Sequence, residues 1–519
     1  MVWLRRGVQT AFLLLFLYLF LASAEHPIDR PGAGVRLFFQ FDPLLALASW
    51  LASHAIPAGM LLSLVTLAVT ALFGRWFCGW ICPFGTLHHF CGSLRRAGLR
   101  DRMAAGGYTP WQRARYYALA ALLCGALLGA NLAGWLDPFS FFFRSLATAA
   151  FPAVNHAIVA VFTWLYDANP LGVTAVSEPV YEFLRRHFLA PQQPYYFGNV
   201  LLGALFMAVV ALNFLRARFW CRYLCPLGAL LGLAGRHSLV RLARRADACN
   251  DCRLCLADCQ GGASPGTGDW HPEECLYCFN CQSGCPAGAI RIEWGRAPKA
   301  PRLDLGRRRL LACGLTGAAG ALLLETHPVG GGRAFNPELV RPPGALGERN
   351  FLARCIRCGE CMKVCPTGAI HPAALEAGLE GLWTPVLRMT VGYCEYECTL
   401  CSQVCPTGAI RPLGLAAKQA VRIGLAYIDR NRCLPYACAR PCVVCQEHCP
   451  TPQKAIWLSE VEVEAPGGSR VTVQQPHVDP ELCIGCGICT NKCAIQGPPA
   501  VLVASAGESR NPGNGLLLP

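Results

Sequence analysis

Cysteine is the residue type on which the chemistry of this sequence depends. The chain holds 32 cysteines in 519 residues, and all but seven of them lie in two blocks, 249–285 and 355–493. The first block contains two consecutive motifs, Cys249-x2-Cys252-x2-Cys255-x3-Cys259 and Cys275-x2-Cys278-x2-Cys281-x3-Cys285-Pro286. This is the spacing of bacterial ferredoxins, in which three thiolates from one tight turn bind three corners of a [4Fe–4S] cube.

In that arrangement the fourth cysteine of each motif ligates the neighbouring cluster. The sequence therefore predicts two ligand sets, Cys249, Cys252, Cys255 and Cys285 for one cube and Cys275, Cys278, Cys281 and Cys259 for the other. Zinc is the competing interpretation, because paired CxxC units also form four-thiolate zinc sites. Two consecutive four-cysteine motifs, one of them closed by Cys-Pro, favour iron–sulfur clusters.

The second block contains four more motifs of the same kind. Their expected cluster ligands are Cys355, Cys358, Cys361, Cys365, Cys394, Cys398, Cys401, Cys405, Cys433, Cys442, Cys445, Cys449, Cys483, Cys486, Cys489 and Cys493. Cys433 and Cys438 compete for the first position of the third motif. Sixteen ligands hold four cubes, so we expect six [4Fe–4S] clusters in the chain. Spacing alone leaves the pairing open: adjacent motifs share cubes, or the first pairs with the fourth and the second with the third.

Two further cysteine pairs occur in loops of the form Cys-x3-Cys-Pro. They are Cys78 with Cys82 and Cys221 with Cys225, and each pair follows an apolar run. Four thiols at one membrane interface are suited to holding a metal or cluster, or to exchanging electrons as dithiols. The alternative is that each Cys-Pro only caps a helix.

Apolar runs indicate the elements that position these motifs. The chain is 53% hydrophobic and only 15% charged, and four runs approach membrane-spanning length: Gly7–Ala24, Pro57–Phe73, Tyr116–Trp135 and Asn199–Leu215. The first is expected to be a retained anchor, with a cleaved signal peptide as the alternative. The shorter run Val154–Tyr166 is interpreted as interfacial or re-entrant.

The distribution of arginine predicts the orientation. The segments 75–115 and 216–309 are rich in arginine and are expected in the cytoplasm, whereas 136–198 has few and is expected outside. The formal net charge of +14 is therefore attributed to membrane topology and not to nucleic-acid binding.

A later apolar run, Leu310–Leu324, follows three consecutive arginines and resembles a twin-arginine leader placed inside the chain. We expect it to cross the membrane from inside to outside; a buried helix is the alternative. The stretches 330–332 and Arg341–Pro343 are expected to form a flexible exit linker.

These observations predict a multidomain protein, with a polytopic α-helical membrane bundle and α+β ferredoxin-like 4Fe-4S modules. The expected domains are a membrane domain over 1–235 with about four transmembrane helices and a cytoplasmic two-cluster domain over 236–300. A basic linker, signal-anchor helix and exit linker follow over 301–345, and a four-cluster domain over 346–519.

The spans with the two Cys-x3-Cys-Pro loops, followed by the two-cluster motif, resemble the NapH-type membrane component of quinol dehydrogenases. The part from about residue 305 resembles the NapG-type ferredoxin, including its twin-arginine leader and four cluster motifs. That resemblance favours Cys433 over Cys438 as the ligand, because Cys433-Leu434-Pro435-Tyr436 followed by Pro441-Cys442 looks like the third motif of the group.

The resemblance implies a multi-pass protein of the bacterial inner membrane with its C-terminal domain in the periplasm. Electrons would pass from quinol in the quinone pool through six [4Fe–4S] clusters to a periplasmic redox partner such as a cytochrome or reductase, and no catalytic side chain is assigned. Two alternatives stay open: an assembly or regulatory redox factor for another metalloenzyme, and electron flow in the reverse direction from a cytoplasmic ferredoxin.

Overall fold

A computed structural model of the chain describes residues 1–23, 34, 36–95, 97–169, 172–190, 194–266, 270–295, 303–325, 336–465, 468–512 and 514. The described chain divides into two compact units. The first comprises 1–22, 33–145 and 200–323, and the second comprises 23–32, 146–199 and 324–519. The glycine stretch at 330–332, expected as part of the exit linker, lies outside the described residues.

The first unit is mainly helical. Its helices are Val2–Ala22, Arg36–Gln40, Pro43–Ser53, Ser63–Phe73, Pro83–Ser93, Leu99–Gly106, Ala114–Leu127, Ala133–Leu136, Pro138–Ser145, Asn199–Ala211, Pro226–Ala234, Leu254–Ala257, Asn280–Ser283 and Arg307–Glu325. Residue 199 and residues 324–325, at the ends of two of these helices, are assigned to the second unit. One antiparallel pair of strands, Val240–Arg244 with Ile290–Trp294, brackets both cysteine motifs of the first block.

An aromatic core holds the helices of the first unit together. Phe16 is fully buried, stacks on Phe142 at 5.1 Å and meets Phe38 edge to face at 5.3 Å. Ring pairs of this geometry stabilise by about 0.5–1.5 kcal/mol beyond the area they bury. The core therefore joins the N-terminal helix to the helices Arg36–Gln40 and Pro138–Ser145.

Apolar helices of two lengths occur in the described chain. Val2–Ala22 and Pro138–Ala168 are long and apolar enough to cross a membrane, judged by length and composition, and Pro43–Ser53, Gly59–Phe73 and Asn199–Phe214 are shorter. Two expectations from the sequence need correction. Val154–Tyr166 is not a separate short run, because it lies inside the 31-residue helical stretch Pro138–Ala168. The helix expected over Tyr116–Trp135 ends at Leu127, because the chain turns at Gly129, whose φ is 94°.

The second unit combines short helices with two-stranded sheets. Its helices are Phe151–Ala168, Thr174–His187, Glu348–Arg354, Glu360–Lys363, Leu400–Val404, Leu415–Ala420, Leu434–Ala437, Val444–Glu447 and Ile488–Asn491. Its antiparallel strand pairs are Ile370–Pro372 with Pro385–Leu387, Leu425–Ile428 with Val501–Ala504, and Ile456–Glu464 with Arg470–Val478.

An ion-pair network closes the second unit around the start of its first cysteine motif. Glu348 bonds Arg341 and Arg510 at 2.5 Å each, and Arg510 also bonds Glu508 at 2.6 Å. The Arg341 side chain is fully buried and its guanidinium lies 4.7 Å from the ring centre of Phe351. The segment Arg341–Pro343 is expected as a flexible linker but is part of the folded unit, because the buried guanidinium of Arg341 is paired with Glu348 there.

Candidate iron–sulfur sites

The two motifs of the first block exchange their fourth cysteines in the structure. Cys255 interacts electrostatically with Cys252, Cys285 and Cys249. Cys281 interacts most strongly with the three thiols Cys278, Cys275 and Cys259. The strand pair on either side of the block holds these turns together, because it joins the residues before Cys249 to the residues after Cys285.

A cavity in this module has four cysteines in its wall, namely Cys259, Cys275, Cys278 and Cys281. The other lining residues are glycine, alanine, proline and larger apolar or aromatic residues. Burial raises the pKa of Cys259 to about 11 and that of Cys275 to about 12. Four thiols around one apolar cavity fit a [4Fe–4S] cube, whose iron charge would hold them deprotonated.

The first two motifs of the second block are interleaved in the same way. Cys361 interacts with Cys358, Cys355 and, from the other motif, Cys405. This set begins directly after the helix Glu348–Arg354 that the ion-pair network anchors.

The complementary set joins Cys401 to Cys394, Cys398 and, from the first motif, Cys365. Burial raises the pKa of Cys394 to about 12. The structure thus groups adjacent motifs.

The last two motifs form a second interleaved pair. Cys433 interacts with Cys442 and Cys493, and Cys445 interacts with Cys442 and Cys433. Cys433 is buried, whereas Cys438 is exposed. The structure therefore brings Cys433, and not Cys438, into the group of thiols.

The complementary set of this pair surrounds a second cavity. Cys449, Cys483, Cys486 and Cys489 all line it, and Cys489 interacts electrostatically with the other three. The strand pair Leu425–Ile428 with Val501–Ala504 brings the two motifs together across a long stretch of sequence.

Glycine at two positions of the last motif is required by close packing. Gly485 and Gly487 have φ of 72° and 76°. A Cβ at Gly485 would lie 2.4 Å from the carbonyl oxygen of Gly424, and one at Gly487 would lie 2.3 Å from the sulfur of Met389. Glycine at these two positions therefore allows neighbouring protein segments to approach the turn.

The spacing of the thiols bears on the choice between zinc and iron. Among the described residues, no three His, Cys, Asp or Glu side chains are close enough together to hold a single metal ion. A tetrahedral zinc site with Zn–S bonds of 2.3 Å needs its sulfurs about 3.8 Å apart. A cube carries its irons at separate corners and takes thiolates that are farther apart, so thiols too widely spaced for one ion are compatible with a cluster.

The two Cys-x3-Cys-Pro loops adopt one local structure. Phe77–Ile81 and Trp220–Leu224 each form a single π-helical turn. The sulfurs of Cys82 and Cys225 then accept hydrogen bonds from backbone N–H groups at 3.4 and 3.3 Å and cap the following helices.

The four loop thiols lie near one another. Cys225 interacts electrostatically with Cys221, Cys78 and Cys82. Capping and grouping therefore occur together, although the sequence presented them as alternatives.

The charges around these loops were not singled out from the sequence. Arg218 donates a hydrogen bond to the carbonyl of Cys78 at 2.9 Å, so the arginine of one loop binds the other loop. Arg75 lies at the corresponding position, three residues before Cys78. Both arginines belong to a repeated sequence pattern, Arg-x2-Cys-x3-Cys-Pro, by which they could have been identified.

A buried ion pair joins the loops to the two-cluster module. Glu274 and Arg115 are fully buried and lie 2.6 Å apart, and the Tyr116 hydroxyl donates to Glu274 at 3.2 Å. Arg75 donates to the carbonyl of Glu273 at 3.0 Å. Glu274 immediately precedes Cys275, so these contacts fix the start of a cluster motif against the helices.

The same junction includes the first loop itself. The Trp80 indole N–H donates to the carbonyl of Tyr277 at 3.1 Å. A Cβ at Gly79 would lie 2.2 Å from the carbonyl oxygen of Leu276. Leu276 and Tyr277 lie between Cys275 and Cys278, so a cluster turn packs directly on the Cys-x3-Cys-Pro loop.

Comparison with known families agrees with this chemistry. A 4Fe-4S binding domain matches residues 55–100 and 199–245, which include both Cys-x3-Cys-Pro loops. 4Fe-4S dicluster domains match 274–370 and 354–409, and a 4Fe-4S binding domain matches 476–493. The chain is therefore an iron–sulfur electron-transfer protein with several 4Fe-4S domains.

Similar proteins identify the family more closely. The chain is 35% identical to the ferredoxin-type protein NapG of Escherichia coli over 200 residues, which are 83% of that protein and 37% of this chain. It is 34% identical to the methylamine utilization ferredoxin-type protein MauM of Methylorubrum extorquens over 224 residues, 96% of that protein and 41% of this chain. The chain belongs to the family of ferredoxin-type proteins that includes NapG and MauM.

A third relative is a longer protein. The chain is 31% identical to protein NirI of Paracoccus denitrificans over 209 residues, which are 40% of this chain and 24% of NirI. No solved structure matches the chain.

Proposed function

We propose that this protein is a multi-pass membrane protein that carries electrons from quinol through six [4Fe–4S] clusters to a periplasmic acceptor. The observation that carries the proposal is the arrangement of cysteines in interleaved motif pairs, two motifs in the first unit and four in the second. Bound clusters supply one-electron transfer, and a series of them divides the two electrons of a quinol between successive carriers.

Cluster ligation is assigned as follows. The sets are Cys249, Cys252, Cys255 and Cys285; Cys275, Cys278, Cys281 and Cys259; Cys355, Cys358, Cys361 and Cys405; Cys394, Cys398, Cys401 and Cys365; Cys433, Cys442, Cys445 and Cys493; and Cys483, Cys486, Cys489 and Cys449. The contacts of Trp80 and Arg75 hold the second of these sets against the helices of the first unit.

Exposed apolar side chains support the membrane assignment. Val200 is 80% exposed and Leu201 68% exposed on the helix Asn199–Ala211. Leaving such side chains in water forgoes about 1.5–3 kcal/mol each relative to burial, whereas lipid accommodates them. The same applies to the exposed leucines of Ser63–Phe73.

Helix packing in the first unit supports it further. Gly317 on the helix Arg307–Glu325 approaches Ala121 so closely that a Cβ would lie 2.1 Å from the Ala121 carbonyl oxygen. Gly314 makes a similar approach to Cys124, at 3.2 Å from its sulfur. Close backbone contact through small residues is characteristic of helix association in membranes, and here it involves the helix proposed to carry the chain across.

Packing within the second unit supports a periplasmic four-cluster domain. Tyr196 is buried in the core of this unit and donates a hydrogen bond to the carbonyl of Met362 at 3.2 Å. Lys363 lies 3.5 Å from the ring centre of Phe151. Tyr196 and Phe151 belong to the arginine-poor segment 136–198, which the charge distribution assigns to the outside. We therefore propose that Pro138–Ala168, although long enough to span, lies at the outer face and does not cross, and that the cluster domain packed on this segment lies outside as well.

Reduction by quinol is the direct test. Anaerobically purified full-length protein in lipid nanodiscs is mixed with a short-chain quinol, and cluster absorbance is followed. We expect bleaching by the quinol and none by the matching quinone. No bleaching by any quinol, in protein that dithionite does bleach, would remove quinol as donor. A reporter fused after about residue 510 tests the topology, and a cytoplasmic signal would contradict the periplasmic assignment.

The grouped thiols of the two Cys-x3-Cys-Pro loops favour one second candidate, a redox factor that assembles or regulates another metalloenzyme. Replacement of Cys78 and Cys221 by serine separates the two functions. Loss of quinol oxidation supports the conduit. Intact quinol oxidation with loss of metal from a partner enzyme supports the assembly factor.

A further inference from the structure

A cavity of about 640 Å³ lies in the first unit beside the second cluster set. Its wall includes the side chain of His89 and five arginines, Arg6, Arg95, Arg102, Arg218 and Arg222. Cys259, which is proposed as a ligand of the second cluster, also lines the cavity. The volume is within the range of about 300–1,000 Å³ that is usual for small-molecule sites.

The positive charge of the cavity is poorly balanced. Among the described residues, Asp258 is the only acid in the wall, and it pairs with Arg102. Arg222 interacts electrostatically with Cys259, so cluster thiolates neutralise that side. Arg6, Arg95 and Arg218 remain as an excess of positive charge, which an anion would compensate.

Arg218 adds an unsatisfied donor to this wall. Its side chain is fully buried, and its Nη1 donates to the carbonyl of Cys78 at 2.9 Å. Its Nε and Nη2 atoms are buried and have no hydrogen-bond partner in the described part of the protein. A buried guanidinium with free N–H groups costs free energy until an acceptor reaches it.

His89 lies in the positive electrostatic field that the arginines of the cavity produce. Burial, and after it the guanidinium groups of Arg218, Arg5 and Arg6, together lower the pKa of His89 to about 3. Gln260 and Asn280 place amide groups in the same wall. The cavity therefore offers several N–H donors and a positive potential to one ligand.

We propose that this cavity binds the phosphate group of a ligand, either an anionic lipid or a soluble phosphorylated cofactor. Arginine forks bond phosphate oxygens in pairs, and such charge-assisted bonds are stronger than neutral ones. The wall shared with Cys259 places the ligand next to the second cluster set. A soluble phosphorylated cofactor would stand there as an additional electron carrier, and a lipid would fix the two-cluster module to the membrane surface.

Binding to the full-length protein with its clusters tests the proposal. Inorganic phosphate is titrated calorimetrically into protein in neutral detergent, and phosphatidylglycerol retained after exchange into phosphatidylcholine nanodiscs is quantified by mass spectrometry. The variant is Arg6→Gln with Arg95→Gln. The matched control is Arg100→Gln, which removes one exposed arginine of the same segment that does not line the cavity.

We expect the double variant to weaken ligand binding at least about tenfold, because two charge-assisted bonds are lost, while the control binds as the wild type. Saturable phosphate binding that the double variant loses identifies a soluble ligand. Selective retention of phosphatidylglycerol that the variant loses identifies a lipid. If the double variant fails to assemble its clusters, Arg6→Gln alone, at an exposed position, replaces it. Equal binding by wild type and variant of both probes, with cluster absorbance intact, would overturn the proposal.

Discussion

Replacement of Glu348 by glutamine tests how the second unit supports its first cluster motif. Glu348 bonds both Arg341 and Arg510 at 2.5 Å. Burial alone would raise the pKa of Glu348, but the guanidinium groups of Arg341 and Arg510 outweigh it and lower this pKa from 4.5 to about 2. The carboxylate therefore stabilises the fold wherever it is ionised.

The magnitude follows from that change. A fall of about 2.5 in pKa corresponds to about 3.4 kcal/mol, and because the side chain is 31% exposed, solvent screening reduces this to about 2 kcal/mol. The contribution is complete above the unfolded pKa of about 4.5 and is lost as the pH falls toward about 2. At neutral pH, the glutamine variant lacks this stabilising contribution, and the buried guanidinium of Arg341 is left without a carboxylate partner.

For a domain of about 170 residues, about 2 kcal/mol corresponds to a decrease of about 4–8 °C in the midpoint of thermal unfolding. The midpoint is measured at neutral pH on anaerobic full-length protein by circular dichroism and by loss of cluster absorbance. Glu462→Gln, at an exposed position of the strand Ile456–Glu464, is the control and should change stability by less than about 0.5 kcal/mol. An unchanged midpoint for Glu348→Gln would refute the reasoning.

Two further substitutions address the cluster sites. Cys405→Ser should remove about four irons per chain from the set that contains Cys361, whereas Cys438→Ser should leave the iron content unchanged; equal iron in both variants would contradict the assigned ligands. Gly79→Ala places a Cβ 2.2 Å from the Leu276 carbonyl oxygen, so this variant should lose the iron of the second cluster set. The control is Gly107→Ala, where the nearest atom is 4.0 Å away and the iron content should be unchanged. A Gly79→Ala protein with its full iron content would show that this junction does not hold the cluster turn.

The local spacing of the cysteines allowed the cluster motifs to be identified from the sequence. The two-residue gaps place three thiols of each motif of the first block in one turn, so the groups around Cys255 and Cys281 required only knowledge of ferredoxin spacing. Which motifs meet is decided by tertiary contacts. The pairing of Leu425–Ile428 with Val501–Ala504 brings the last two motifs together, and short strands separated by more than 70 residues give little sequence signal.

The buried charged residues could not be identified from the composition of the sequence. Arginines near apolar runs indicate membrane topology, and nothing in the sequence indicated that Arg218 bonds the carbonyl of Cys78 or that Arg75 bonds the carbonyl of Glu273. Glu274 is likewise an ordinary acid in the sequence, yet it is fully buried against Arg115. A lone polar residue carries no sequence sign of the partner it will meet, so such networks emerge only from the fold.

Iron and acid-labile sulfide analysis, with electron paramagnetic resonance on anaerobically purified protein, tests the central claim most directly. Six cubes require about 24 irons and about 24 sulfides per chain, and stepwise reduction should reveal signals from more than one cluster. Protein that is folded and contains zinc, or no iron, would contradict the account.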